Sequence, residues 1–448
     1  MTFDDELRQY KKFRPKSEEL WKRALRVLPG GISHTIRTFG LYRIGCFPIF
    51  IKSANGPYIV DVDGNKYLDC WNGHFANIVG NNHPEVQKVI KDHLANGWHF
   101  GTNTEYQVEL AEKIIDGNPG IEMMRFCSSG TEATMYATRL ARAFTKRKLV
   151  AKAKLGWHGA NDTLYYCVGN LDEKFIPPGL TKADEANVIL YEINSEEIFE
   201  LIKSHHNDLA AVILEPVLGG GGGFPSKLEF LKRLREETEK YGIMLIFDEV
   251  ITGYRFNCGL YQNELKVIPD LTTMGKIIGG GMPIGAIGGR RDLLESSSPQ
   301  SKNQVLIGGG TYSGFPLSMI AGLKTIEILE KSKEQYIRIN QEGEKLRNQF
   351  NNYFNENKIP MVARGHKSLV LLHTLSKYIQ QPNINDIILN TDKNSEACLH
   401  LYLFNRNILG LHGLGALSMA HTSENVEYIA QKVLEIADLI AQSNFNQI

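Results

Sequence analysis

Between about residues 105 and 325, short apolar runs alternate with helical patterns, and few folds accommodate that rhythm. The runs are Met123–Cys127, Leu149–Ala153, Val188–Tyr191, Ala210–Leu214, Ile243–Phe247 and Ile284–Gly288. Each is short and mostly continuous, which suits strands buried on both faces. Helical spacing separates several of them, most clearly at Leu228 to Tyr241. Strand–helix alternation of this kind predicts an α/β fold with a mostly parallel sheet flanked by helices. The run in GIMLIFDEVITGYR, residues 242–255, ends in Asp248 and Glu249. Ligands of open α/β sheets sit beyond the carboxyl ends of strands. A carboxylate at this place therefore either faces a cleft or caps the next turn.

The flanks read differently. Leu20, Trp21, Ala24, Leu25 and Leu28 mark one face of a helix that Pro29-Gly30-Gly31 stops. Turn signals at Asn55-Gly56-Pro57 and Asp63-Gly64-Asn65 make residues 49–69 a small antiparallel meander. Pro84 opens a helix, with Val86, Val89, Ile90 and Leu94 at helical spacing. After Pro316 a long helical pattern leads away from the sheet. We divide the chain into an N-terminal segment, 1–70, that belongs with the small domain, a large α/β domain, 71–325, and a smaller α+β domain, 326–448. The formal net charge of zero indicates neither nucleic acid nor an acidic surface as partner. Six cysteines without a CxxC pair argue against a zinc site or disulfide framework and fit a reducing compartment. The N-terminus shows no apolar leader, and no apolar run approaches a membrane span. The expectation is a cytoplasmic enzyme without metal.

Five constellations could carry chemistry. Phe126-Cys127-Ser128-Ser129-Gly130-Thr131-Glu132 joins a strand to a helix, with capping-box spacing between Ser129 and Glu132. The free amides at such a helix start form a ready phosphate site, or simply a well-capped helix. Trp157 and His158, between Gly156 and Gly159, follow another strand, and a flat aromatic there can stack on a ring ligand. Glu215-Pro216 precedes five glycines, Gly219 to Gly223, which permit close backbone approach or a mobile loop. Lys276 lies in an apolar, glycine-rich setting before Gly279-Gly280-Gly281. Desolvation there would lower its pKa and make it a better nucleophile. The last is the polar glycine loop around Thr311, Gly308 to Gly314.

An apolar run ending in Asp-Glu also matches a nucleotide-hydrolase magnesium site. That chemistry needs a GxxxxGK[ST] loop, whereas Gly275-Lys276 is followed by Ile277 and has Asp270 where the first glycine belongs. The ordered set Ser-Gly-Thr-Glu-Ala, Trp-His-Gly, Glu-Pro-Val, Phe-Asp-Glu-Val-Ile-Thr-Gly-Tyr-Arg, Gly-Lys-Ile-Ile-Gly-Gly-Gly-Met-Pro-Ile-Gly-Ala and Gly-Thr-Tyr-Ser-Gly-Phe-Pro-Leu instead resembles the class III pyridoxal-phosphate aminotransferases, closest to the glutamate-1-semialdehyde 2,1-aminomutase-like group. The likeness runs from Pro29-Gly30-Gly31 to Ala420-His421-Thr422. It implies the pyridoxal-phosphate transferase fold type I and the cofactor pyridoxal 5'-phosphate. The implied catalytic pair is Lys276, which forms a Schiff base with the cofactor aldehyde, and Asp248, which keeps the pyridine nitrogen protonated. Val250 would pack under the ring and Trp157 over it, with His158 beside Trp157. Ser129, Gly130 and Thr131 would hold the phosphate, and Glu215 joins the cofactor-binding set. Thr311 would reach the phosphate from a partner subunit, which implies a homodimer with sites at its interface.

Arg37 aligns with an arginine that reads the substrate carboxylate in the aminomutases. The chain departs from their pattern elsewhere. Gly413 or Gly415 stands where they carry a Glu, and Gly220 where they usually have an Asn. Leu409 to Ala420 also lacks the Arg with which many class III transaminases bind a carboxylate. Transamination of an amino acid or amine is therefore the expected reaction. Intramolecular 1,2-amino transfer and racemisation or epimerisation are the alternatives.

Overall fold

The computed structural model describes residues 2–168 and 177–442. Contacts divide the chain into two compact units. One is Pro84–Tyr336; the other joins the chain before it to the chain after it.

The Pro84–Tyr336 unit is built on a seven-stranded sheet. Its spatial order is Met123–Cys127, Gly285–Gly289, Leu271–Gly275, Met244–Asp248, Leu209–Leu214, Leu149–Ala153, Val188–Tyr191. The pairs made among the last five strands in that order are parallel. Gly285–Gly289 runs antiparallel to both its neighbours. Leu271–Gly275 was absent from the sequence-predicted runs. Its two threonines break the apolar run, yet both β-branched side chains are buried within the sheet. The central strands are buried throughout, as a parallel sheet covered on both faces requires. Leu245, Ile246 and Phe247 have no exposed surface, and each contributes about 1.5–3 kcal/mol relative to exposure.

Helix Gly130–Thr145 covers one face. Its small buried side chains, Ala133, Ala137 and Ala141, let it approach Val150, Ala211, Ile213, Ile246 and Leu271 in one core cluster. Helix Leu228–Lys240 buries Phe230, Leu231 and Leu234. Helix Pro316–Glu330 packs on the turn after Leu271–Gly275 through glycines. A Cβ at Gly322 would lie 2.0 Å from the Ile278 carbonyl oxygen, and one at Gly280 2.4 Å from that of Ala321.

In the other unit, the meander is the antiparallel set Ile51–Asn55, Tyr58–Asp61 and Lys66–Asp69. Ile408–Leu409 adds to Lys66–Asp69 in parallel, so N- and C-terminal portions share one sheet. A second sheet joins Met361–Arg364, Leu369–Thr374 and Gly415–Ala416, and helices Lys393–Asn405 and Ser423–Gln442 belong to the same α+β unit. No helix among the described residues is long and apolar enough to cross a membrane, and none of their His, Cys, Asp and Glu side chains group as a metal site.

Candidate active site

Register brings the predicted residues to one edge of the sheet. Phe247 pairs with Leu214 and Asp248 with Thr273. The carboxyl ends of three neighbouring parallel strands therefore deliver Glu215, Asp248 and Lys276 side by side.

Asp248 is almost fully buried and anchored on both oxygens. Oδ1 accepts from the Thr273 hydroxyl at 3.0 Å and the Val250 amide at 3.1 Å, and Oδ2 lies 2.8 Å from His158 Nδ1. Burial pulls the His158 pKa down, and its bond to Asp248 works against that. A neutral imidazole donating from Nδ1 satisfies both, leaving Nε2 buried without a partner among the described residues. The neighbouring Glu249 does not face the site. Its carboxylate accepts from the Tyr261 and Gln262 amides and the Thr252 hydroxyl, so it caps the helix Tyr261–Leu265.

The Ser-Gly-Thr turn opens the helix Gly130–Thr145. Ser129 Oγ accepts from the Glu132 amide at 3.3 Å, the first half of the predicted capping box. The second half is displaced by one residue, because the Glu132 carboxylate accepts from Ser128 rather than Ser129. The first-turn amides of Gly130 and Thr131 have no intrahelical acceptor, and the Ser129 hydroxyl keeps its proton to donate. Glycine at 130 admits Val250, whose methyls lie 3.1 and 3.2 Å from where a Cβ would stand. Gly159, at φ +81°, admits Thr131 in the same way, 2.4 Å from its hydroxyl oxygen.

Trp157 is 37% exposed and meets Tyr165 edge-on at 5.8 Å. Its amide donates to Glu215 Oε1, and the Gly219 amide to Oε2, both at 3.0 Å. Burial first, and then Asp248, push the Glu215 carboxyl upward. The glycine run serves close approach: a Cβ at Gly219 would lie 2.3 Å from Ile251 Cδ1, and one at Gly221 2.9 Å from the Leu155 carbonyl oxygen. Lys276 begins a turn at φ +48°, an uncommon conformation for a side-chain-bearing residue. Burial lowers its pKa, Asp248 and Glu215 oppose the shift, and the positive charge of Arg255 adds to it. Val250 also lies 3.4 Å from a Cβ built on Gly275, so it occupies the place where the helix start and the lysine turn meet.

Two expected residues come from other segments of the chain. Thr311 is exposed and lines a cavity of about 410 Å³ with His99, Gly101 and Asn103. Its neighbour Gly310 abuts the Ser128 hydroxyl, 3.2 Å from a built Cβ. Arg37 is an exposed residue of the turn Thr35–Thr38 in the other unit. Sequence reasoning missed Thr273, Arg255 and the wholly buried Lys152. The only signal for Arg255 was its place at the end of the Asp-Glu motif. Thr273 had none, because its contact with Asp248 depends on strand register, and Lys152 had none, because its partners Leu164 and Tyr166 lie on a loop outside the strands.

These residues fit pyridoxal 5'-phosphate. Free amides and a hydroxyl at a helix start suit its phosphate, and an anchored carboxylate suits its ring nitrogen. A glycine-flanked Val250 and a half-exposed Trp157 offer two apolar faces. A desolvated amine suits its aldehyde. The model of the family Aminotransferase class-III matches residues 43–389. The glutamate-1-semialdehyde 2,1-aminomutase of Methanothrix thermoacetophila is 40% identical over 360 residues, covering 79% of this chain and 80% of that one. That of Methanococcoides burtonii is 37% identical over 423 residues, covering 92% and 96%. A solved transaminase with PLP bound has a TM-score of 0.84 at 31% identity, covering 95% of this chain and 98% of its own.

Proposed function

The chain belongs to the class III aminotransferases, and on that premise we propose that it moves an amino group between an amino acid or amine and a carbonyl compound, with Lys276 and Asp248 as its catalytic pair. Pyridoxal 5'-phosphate, when bound, supplies the electron sink for the carbon that bears the substrate's amine. The Gly130 and Thr131 amides and the Ser129 hydroxyl bind its phosphate, aided by the positive end of the helix. Val250 and Trp157 orient the ring. Asp248, held on both oxygens, would accept from the ring nitrogen and so favour a proton staying on it. With the cofactor bound, Lys276 Nζ would be the amine that holds its aldehyde. Once freed, Lys276 would be the base that takes the proton from the substrate's amine-bearing carbon and the acid that delivers it to the former aldehyde carbon. Its lowered pKa raises the share of neutral amine able to do so.

The observation that carries this reading is the delivery of Lys276, Asp248 and the Ser-Gly-Thr turn to one edge of the sheet around Val250. The exposed polar loop at Thr311, with Trp98, Phe100, Leu306 and Tyr312 also exposed, supports a homodimer in which Thr311 completes the partner's phosphate site. A cytoplasmic location is part of the same proposal.

Borohydride trapping tests the site. The cofactor should become fixed to a peptide containing Lys276, and a Lys276→Ala chain should neither trap it nor turn over. Trapping on another lysine would refute the assignment. Mixing the loaded enzyme with candidate amines should yield a carbonyl product and pyridoxamine phosphate. The two aminomutase relatives favour a second reading, intramolecular 1,2-amino transfer. Isomerisation of an amino aldehyde without an added acceptor would establish it. Exchange of the α-hydrogen into D₂O without a carbonyl product would instead identify a racemase or epimerase.

A further inference from the structure

Lys152 has no exposed surface, although it carries a charge and stands on the strand Leu149–Ala153 within the sheet. Its Nζ donates to the carbonyls of Leu164 and Tyr166, both at 2.8 Å. A buried amine is costly unless hydrogen-bonded. What the lysine contributes beyond a methionine of similar length is these two bonds and a positive charge that acts on Glu215 and His158. They flank Tyr165, whose ring meets Trp157 edge-on with centroids 5.8 Å apart at 72°. The same turn is closed by Asn161, whose carbonyl accepts from the Tyr165 amide at 2.9 Å and whose side chain accepts from that of Leu164 at 3.2 Å. On its other side Trp157 is tied to Glu215 through its backbone amide, and Gly220 passes within 3.4 Å of its Cβ, measured from a built Cβ. The backbone of Trp157 is thus fixed by the sheet edge, while its ring leans on Tyr165.

We propose that Lys152 is a positioning residue for the Trp157 ring: by pinning the carbonyls on both sides of Tyr165, it holds that ring against Trp157 and sets the plane Trp157 presents to the cofactor. The inference rests on the reading above, in which Trp157 covers one face of the cofactor ring. Lys152 touches neither cofactor nor substrate in it.

The test compares Lys152→Met, Tyr165→Ala and the double variant. In cofactor-free protein, amides of residues 157–168 should exchange about tenfold faster in Lys152→Met, while those of Met244–Asp248 keep their rates. In loaded protein, each single change should raise the dissociation constant for pyridoxal 5'-phosphate about three- to tenfold, the worth of one aromatic contact. Each should also weaken the circular dichroism of the bound cofactor, and the double variant should lose no more than either single one. Unchanged exchange in Lys152→Met, or a double variant whose loss is the product of the two single losses, overturns the proposal. Should Lys152→Met not fold, Tyr165→Ala decides alone, and an unchanged constant and spectrum overturn it. Borohydride trapping on Lys276 in the unaltered chain separates the two readings. Absent trapping refutes the site itself, whereas normal trapping with unaffected variants refutes only the role of Lys152.

Discussion

Replacing Thr273 by Val tests the carboxylate anchor with little change of shape. Both residues are β-branched and suit the strand Leu271–Gly275. The substitution deletes the hydroxyl that donates to Asp248 Oδ1 at 3.0 Å. Hydrogen bonds to a charged acceptor contribute about 1.5–3 kcal/mol. The Val250 amide still serves Oδ1 and His158 still serves Oδ2, so the loss falls at the low end, about 1.5 kcal/mol. For a unit of this size that lowers the melting temperature of the cofactor-free protein by about 3–6 °C. A less well anchored carboxylate also grips the ring nitrogen less firmly, and about 1.4 kcal/mol there is a tenfold rise in the cofactor's dissociation constant. Scanning calorimetry and a cofactor titration measure the two effects. Thr273→Ser is the control, since it keeps the hydroxyl and should hold cofactor affinity within about twofold. Valine and serine variants with equal cofactor affinity would refute the reasoning.

Three further changes probe other parts of the chain. Gly159→Ala places a methyl 2.4 Å from the Thr131 hydroxyl at a φ of +81°; the displaced phosphate turn should weaken cofactor binding by about tenfold or more, and unchanged affinity would remove Thr131 from the cradle. Arg37→Ala should raise KM by about tenfold for carboxylate-bearing substrates and leave plain amines unaffected; equal loss with both removes the clamp. His400 is buried, with Nδ1 on the Phe39 carbonyl at 3.0 Å and Nε2 accepting from Gly413 at 3.4 Å, and burial pushes its pKa down to about 4. Its contribution to stability is complete above the unfolded value near 6.5 and is lost as pH falls towards 4, by up to about 1.4 kcal/mol per pH unit. Urea unfolding between pH 4.5 and 7.5 should show that slope reduced in His400→Gln, and a slope identical to the unaltered chain would exclude the mechanism.

Much of this site is legible locally. The turn proposed to hold the phosphate needs only a strand, a Ser-Gly-Thr step and a helix start, all contiguous from Met123 to Thr145. Asp248 was visible as a polar residue ending an apolar run, and Lys276 as a lysine in an apolar, glycine-rich setting. Glu249 was equally visible and has a different task, because capping Tyr261–Leu265 depends on where a loop returns. Leu271–Gly275 escaped the pattern because its threonines look polar in sequence and become interior only once flanked by Gly285–Gly289 and Met244–Asp248.

The order of apolar runs, turns and helix starts by itself determined that this chain forms a helix-flanked sheet, and it named the residues at the strand ends, since those signals lie within a few neighbouring positions. Only the tertiary structure decided that Thr273 meets Asp248, that Lys152 meets Leu164 and Tyr166, and that Val250 stands between Gly130 and Gly275. Those contacts join different elements, several of them more than twenty residues apart; Thr273 meets Asp248 through strand register, while Lys152 and Val250 meet a loop and a helix start that return to the sheet edge. Pairing across a sheet is set by the packing of the whole unit, and no local stretch of sequence encodes it.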